Sequence, residues 1–137
     1  MMTQDQLPMV AIPSMNDTHL EEMLLVNKLD TAAKKNDVSA VAAILDELLE
    51  HTVAHFSTEN EMMEKSKFPA YAMHKAEHDR HLHEFEALIK YFEKTKDTRA
   101  IATHIEGNLE KWLIHHIQTM DTITAQFLTQ SNTTGSY

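Results

Sequence analysis

Four segments of this chain repeat apolar residues at helical spacing, and each apolar stripe is interrupted by histidine or carboxylate. The interrupting residues are His19, then His55 and Glu59, then His74 and His78, then His116 and Asp121. A helix face that packs inward cannot carry an unpaired imidazole or carboxylate without a large desolvation cost. The fold must bring these groups to a common partner, and a buried metal centre serves both types at once. Histidine is usually scarce, yet the chain has 10 in 137 residues.

Little else in the chain interrupts helices. There are 2 Gly and 3 Pro, and no run of short alternating strands with hairpin turns. Hydrophobic residues make up 42% of a length that suits one domain with one sizeable core. Residues 1–13 read as an arm without clear periodicity. Ser14 and Asn16 are candidate caps for a first helix from about residue 17, with apolar Leu20, Met23, Leu24, Val26 and Leu29. It ends near residues 34–37, where Lys34 and Lys35 suit the C-terminal dipole and Asn36 or Asp37 can cap the next helix.

The second helix is expected over residues 38–65 and the third over 70–94, with Pro69 at its first turn. Asp97 caps a fourth over 98–128, whose stripe includes Ile101, Ile105, Leu109, Leu113, Ile123 and Phe127. Four long helices with short loops predict an all-α, antiparallel up-down-up-down four-helix bundle over residues 14–129, followed by a short disordered tail at 130–137.

Several function classes drop out. A net charge of −9 without a basic stripe argues against binding nucleic acid. The absence of Cys rules out disulfides and thiolate metal sites, leaving imidazole and carboxylate ligands that suit iron, zinc, manganese or nickel. The N-terminal MMTQDQLPMVAIPS has no basic region before its short apolar run, so no signal peptide is expected. No stretch is long and apolar enough to insert in a membrane, so a cytoplasmic location is expected. Charged exposed faces predict a monomer.

His55 and Glu59 are spaced i, i+4 and share a helix face, as do His74 and His78 on the next helix. His116 and Asp121 are i, i+5, roughly 140° apart on a regular helix, and a local π-turn would draw them together. A structural zinc needs about four ligands. Five histidines and two carboxylates exceed that and suit two octahedral ions bridged by the carboxylates. The Glu-x-x-His pair of carboxylate-rich di-iron bundles does not occur. Nor does His-Glu-x-x-His, because His83-Glu84 is followed by Ala87 where the second histidine would stand. A nitrogen-rich site carries less negative charge and should stabilise high-valent iron less, which favours reversible dioxygen binding over oxygen activation.

The chain contains Asn16-Asp17-Thr18-His19 with Asn27, His55-Phe56-Ser57-Thr58-Glu59, and Phe68-Pro69 with His74 and His78. It also contains Trp112-Leu113-Ile114-His115-His116-Ile117 with Asp121. Together, over about residues 14 to 128, these pieces resemble a single-domain hemerythrin of the bacterial type. The resemblance implies two iron ions. One takes His74, His78 and His116 and is coordinatively full; the other takes His19 and His55 and keeps an open position for dioxygen. Glu59 and Asp121 would bridge both, with an oxo or hydroxo group as third bridge. Trp112 and Leu113 match positions lining the dioxygen pocket, Leu113 as a hydrophobic gate. The chain departs from many bacterial relatives in lacking a Trp before the first helix and in having Asn60 where a second Glu often follows the ligand.

The resemblance implies oxygen storage, transport or delivery to an oxidase or monooxygenase. The alternatives are a sensor of oxygen, nitric oxide or redox state acting through a separate partner, a di-iron peroxidase or nitric oxide-detoxifying enzyme, and a metal reservoir. His51, one turn before His55, reads as a neighbour of the site or a core-edge residue. His81, His83 and His104 read as solvated, and His115 as exposed on the helix flank. Met62, Met63, Met73 and Met120 read as core filling, and Glu21-Glu22 and Glu61 with Glu64 as solvated acidic faces.

Overall fold

The computed structural model describes residues 1–131, so most of the expected disordered tail, from residue 132 onward, lies outside the described residues. Four long helices form the bundle, and no strand occurs among the described residues. They are α1 (Pro13–Lys34), α2 (Val38–Ser66), α3 (Tyr71–Thr95) and α4, over residues 98–131. α4 runs on through two π-turns, Ile105–Leu109 and Ile117–Asp121. Short connections force sequential helices to run antiparallel. α1 packs on α2 and α4, and α3 packs on the same two. No helix is long and apolar enough to cross a membrane.

The helix ends follow local chemistry. Asp37 and Asp97 each accept a bond from the backbone N–H three residues on, from Ala40 and Ala100, both at 3.1 Å. α1 begins four residues earlier than expected. Pro13 supplies the fixed φ that suits the first helical position. Asn16 is therefore not the cap; it turns back and makes two 2.9 Å bonds with the Val10 backbone. The arm is pinned again where the Asn27 side chain exchanges bonds of 3.0 and 2.8 Å with the Met2 backbone. Met2, Leu7, Val10 and Ile12 are buried as a result, although they lack helical periodicity.

The apolar interior falls into two clusters. One, toward the α1–α2 and α3–α4 connections, contains Leu29, Leu45, Leu48, Phe85, Phe92 and Ile101. The other combines the arm with Met15, Met23, Leu113, Ile117 and Leu128. Leu24, Ile123 and Met73, read as inward from the sequence, are instead exposed, while Met63 is fully buried. The histidines and carboxylates lie in the layer between the two clusters.

Three helix ends place a side-chain-bearing residue in the left-handed region: Asn36 (φ 59°), Lys67 (φ 57°) and Lys96 (φ 56°). For lysine this conformation costs about 1 kcal/mol, which glycine avoids. Lys67→Gly should raise unfolding stability by about 1 kcal/mol in denaturant titration, with an unchanged slope.

Candidate metal centre

All seven residues singled out from the sequence meet in that layer, and all are buried. α1 supplies His19, α2 supplies His55 and Glu59, α3 supplies His74 and His78, and α4 supplies His116 and Asp121. Their donor atoms form two overlapping groups, each with all atoms within 4.8 Å of one another. The first is Glu59, His74, His78, His116 and Asp121; the second is His19, His55, Glu59 and Asp121. The two carboxylates belong to both.

The π-turn Ile117–Asp121 makes the α4 contribution possible. Widening one turn brings Asp121 back over His116, with Nε2 of the histidine 3.3 Å from Oδ1 of the aspartate. The Thr122 hydroxyl donates to the Ile117 carbonyl at 2.8 Å and so braces the widened turn.

The donor set fits cations. His19 Nε2 stands 3.0 Å from Asp121 Oδ2, His74 Nε2 3.1 Å from Asp121 Oδ1, and His78 Nε2 3.1 Å from Glu59 Oε1. Nevertheless His19 Nε2, His78 Nε2, Glu59 Oε1 and both Asp121 oxygens lack a hydrogen bond of acceptable geometry. Nε2 of His74 also faces Nε2 of His116 at 3.2 Å. Converging lone pairs buried without protons between them are costly, and a bound cation removes the cost.

Residues behind the imidazoles fix which nitrogen faces inward. His55 Nδ1–H donates to Glu22 Oε1 at 3.3 Å, and His78 Nδ1–H donates to Asn60 Oδ1 at 2.9 Å. His74 Nδ1 is 2.9 Å from the Thr124 hydroxyl. These contacts aim the Nε2 atoms at the shared centre, as metal-binding imidazoles require. Phe56 stacks on His78 with ring centroids 3.9 Å apart. Trp112 lies between His81, at 3.6 Å, and His116, at 4.6 Å, and its Nε1–H donates to Glu77 at 2.9 Å.

Two readings from the sequence are overturned here. Glu22 is not on a solvated face: it is buried, and it accepts from the Thr52 hydroxyl at 3.1 Å as well as from His55. His81 is not solvated either, because its ring covers Trp112. His51 is half-buried and bridges Glu21, at 3.2 Å, and Glu22, at 3.6 Å. His115 and His83 are exposed, as read.

Electrostatics match a cation-binding role. Burial acts to raise Glu59 and Asp121, and the neighbouring Asp121 charge raises Glu59 further, but contacts with the surrounding histidines outweigh this and hold both below their ordinary values. Burial would lower His55, yet the Glu22 and Glu59 carboxylates hold it well above its usual value. For Glu22, burial opposes ionisation and is overcome by His55 and His51, so it is held far below the carboxylate range. For His81 burial outweighs the raising influence of the Glu22 and Glu77 carboxylates and drives it down to about 4.

One space reaches the centre, and a second lies beside it without touching the seven residues. A solvent-open cleft between α1 and α2, edged by Ser14, Thr18, Glu21 and Met62, extends down to His55 and Glu59. A smaller interior pocket is walled by Glu22, Val26, Leu48, Thr52, Trp112 and Leu113, among others.

A family profile described as the hemerythrin HHE cation-binding domain matches residues 10–128. A bacteriohemerythrin of Aquifex aeolicus strain VF5 is 36% identical over 114 residues, covering 83% of this chain and 87% of that protein. One from Methylococcus capsulatus strain Bath is 32% identical, covering 77% and 79%. The crystal structure of a wild-type hemerythrin superposes with a TM-score of 0.77 at 27% identity, covering 94% of this chain and 97% of the other.

Because His81 is neutral when folded and titrates near its ordinary value when unfolded, its contribution is fully present above about pH 6.5 and lost as pH falls toward 4. The loss is of the order of 3 kcal/mol. In metal-free protein, His81→Phe, which keeps a ring on Trp112, should flatten the acid limb of the stability–pH curve between pH 6.5 and 4. Chemical denaturation across that range checks it, and parallel curves for the two proteins would contradict it.

Proposed function

The chain belongs to the hemerythrin family, and from that premise we propose that it binds dioxygen reversibly at a pair of iron ions. The supporting observation is the inequality of the two donor groups, five on one side and four on the other, with Glu59 and Asp121 common to both. In this reading His74, His78 and His116 complete the first ion's protein ligation. His19 and His55 leave the second one ligand short, which is where a small molecule binds. Glu59 and Asp121, common to both groups, would be shared between the two ions. The iron pair supplies the electrons that dioxygen takes up on binding and returns on release.

The protein's own residues do the rest. Glu22, Asn60 and Thr124 hold imidazoles in the ligating orientation. Leu113, buried, and Trp112, fixed by Glu77 and by stacking, wall the interior pocket and keep water from it. Excluding water prolongs the bound state, because a proton source beside reduced oxygen promotes its loss as product. The role that follows is storage, transport or delivery of dioxygen to an oxidase or monooxygenase, and not catalysis.

Iron-loaded protein, reduced without air, then oxygenated and purged, should develop near-ultraviolet and visible charge-transfer bands that vanish on purging. Bands that persist after purging would move the reading to sensing or enzymatic chemistry. No bands with two irons bound per chain would end the di-iron assignment. Asp121→Ala should reduce bound iron below two per chain by elemental analysis. Leu113→Ala should retain both irons but shorten the lifetime of the oxygenated spectrum several-fold.

A further inference from the structure

We propose that the stacked rings of His116, Trp112 and His81 carry single electrons between the metal centre and the surface groove between α3 and α4. A soluble one-electron reductant at the groove could then restore a centre left oxidised. The inference rests on the iron-pair reading above, since it concerns how that pair regains its electrons.

His116 belongs to the five-donor group. The Trp112 ring lies over it with centroids 4.6 Å apart and an interplanar angle of 12°. Beyond Trp112, the His81 ring stacks at 3.6 Å and 8°. Near-parallel rings in contact therefore lead outward from a candidate ligand. Both Trp112 and His81 line an open groove, together with Arg80, Glu84, His104 and Lys111. The indole is held in register because its Nε1–H donates to Glu77 at 2.9 Å, and Glu77 in turn accepts from Arg80. Electrons tunnel faster through π systems in contact than through saturated side chains, so the order of these rings defines a path.

Other aromatic contacts of the candidate ligands make no such path. Phe56 stacks on His78 at 3.9 Å, but Phe56 is only 1% exposed, and its remaining ring neighbours are tilted or edge-on at 5.2 Å or more. His51 meets His55 at 6.4 Å and 59°. The Trp112 stack also leaves the centre on a different side from the open cleft, which arrives at His55 and Glu59. Electrons and small molecules would thus use separate entries. His81 is not among the donors, so its ring is free to serve this path without holding metal. In each inward transfer one donor molecule loses an electron and one iron gains it. Two transfers restore the pair.

The chain has no Cys and one Trp, so each end of the path can be addressed singly. Glu84→Cys, at an exposed position on the groove, takes a ruthenium polypyridyl label. A flash, with a sacrificial electron acceptor in solution, leaves the label one electron short. In metal-free protein the label should then draw an electron from Trp112, seen as the transient absorption of the tryptophan radical. His81→Phe, added to the labelled protein, should leave the rate of radical formation unchanged, because a ring still bridges. His81→Leu should slow it several-fold, and His81→Met replaces the leucine variant if that one does not fold. With two irons bound and reduced, the radical should decay several-fold faster than in metal-free protein, because Trp112 is refilled from the iron pair. Equal rates of radical formation with His81 intact and with the aliphatic variants would overturn the path. A radical lifetime unchanged by bound, reduced iron would overturn it too. Protein with two irons that gives no band with dioxygen would instead bring down the iron-pair reading, and this inference with it.

Discussion

Five imidazoles and two carboxylates, withdrawn from water and facing one another, are the constraint around which the rest of the bundle is arranged. Packed alone, their lone pairs and charges would oppose folding. Shared between cations, they would become links that tie all four helices at one level. The apolar clusters above and below keep that level dry, and the arm, anchored through Asn27 and Asn16, extends the cover on one side. Packing and ligation would then be mutually dependent: the clusters cover the candidate ligands, and bound cations would fix how the helices meet.

Around that ligand layer the supporting groups are unequal. Neutral oxygens stand behind His74 and His78, whereas an ionised carboxylate stands behind His55. On the five-donor side Phe56 stacks on His78 and Trp112 on His116, while the four-donor side borders the open cleft at His55 and Glu59. Coordination, charge and access are all asymmetric in the same direction. A molecule entering by the cleft meets the four-donor half first.

The clustering of these seven residues was legible in the sequence because they combine two independent patterns: apolar helical periodicity, and ionisable residues placed on its stripe. The bundle and its family followed from the same residues, and the structure and the comparisons agree. What escaped was whatever depends on tertiary neighbours. Glu22 next to exposed Glu21 reads as an acidic surface run, and only the approach of Thr52 and His55 from α2 reveals it as buried. His81 looked solvated because its partner, Trp112, is on another helix. Leu24 and Ile123 sit at stripe positions but find no helix opposite. The early start of α1 was signalled by Pro13 and outweighed by the capping preference of Ser14 and Asn16. Left-handed Lys67 and Lys96 carry no sequence signal, since a glycine would have been expected there.

The widened turn at Ile117–Asp121 also has a bearing on how this chain can tolerate insertions and deletions. A π-turn is one extra residue absorbed within an otherwise α-helical ladder. Removing a residue between His116 and Asp121 would restore regular hydrogen bonding and look harmless to helix propensity. The i, i+4 spacing that results would still place the histidine and the aspartate on one face, and the segment after them would keep its phase. An insertion differs: with the turn already widened, a further residue would rotate everything that follows by about 100° relative to the preceding segment. Thr124 would then turn away from His74, and Ala125 and Leu128 would leave the arm-side cluster. The stretch between His116 and Asp121 therefore has room to lose a residue but none to gain one.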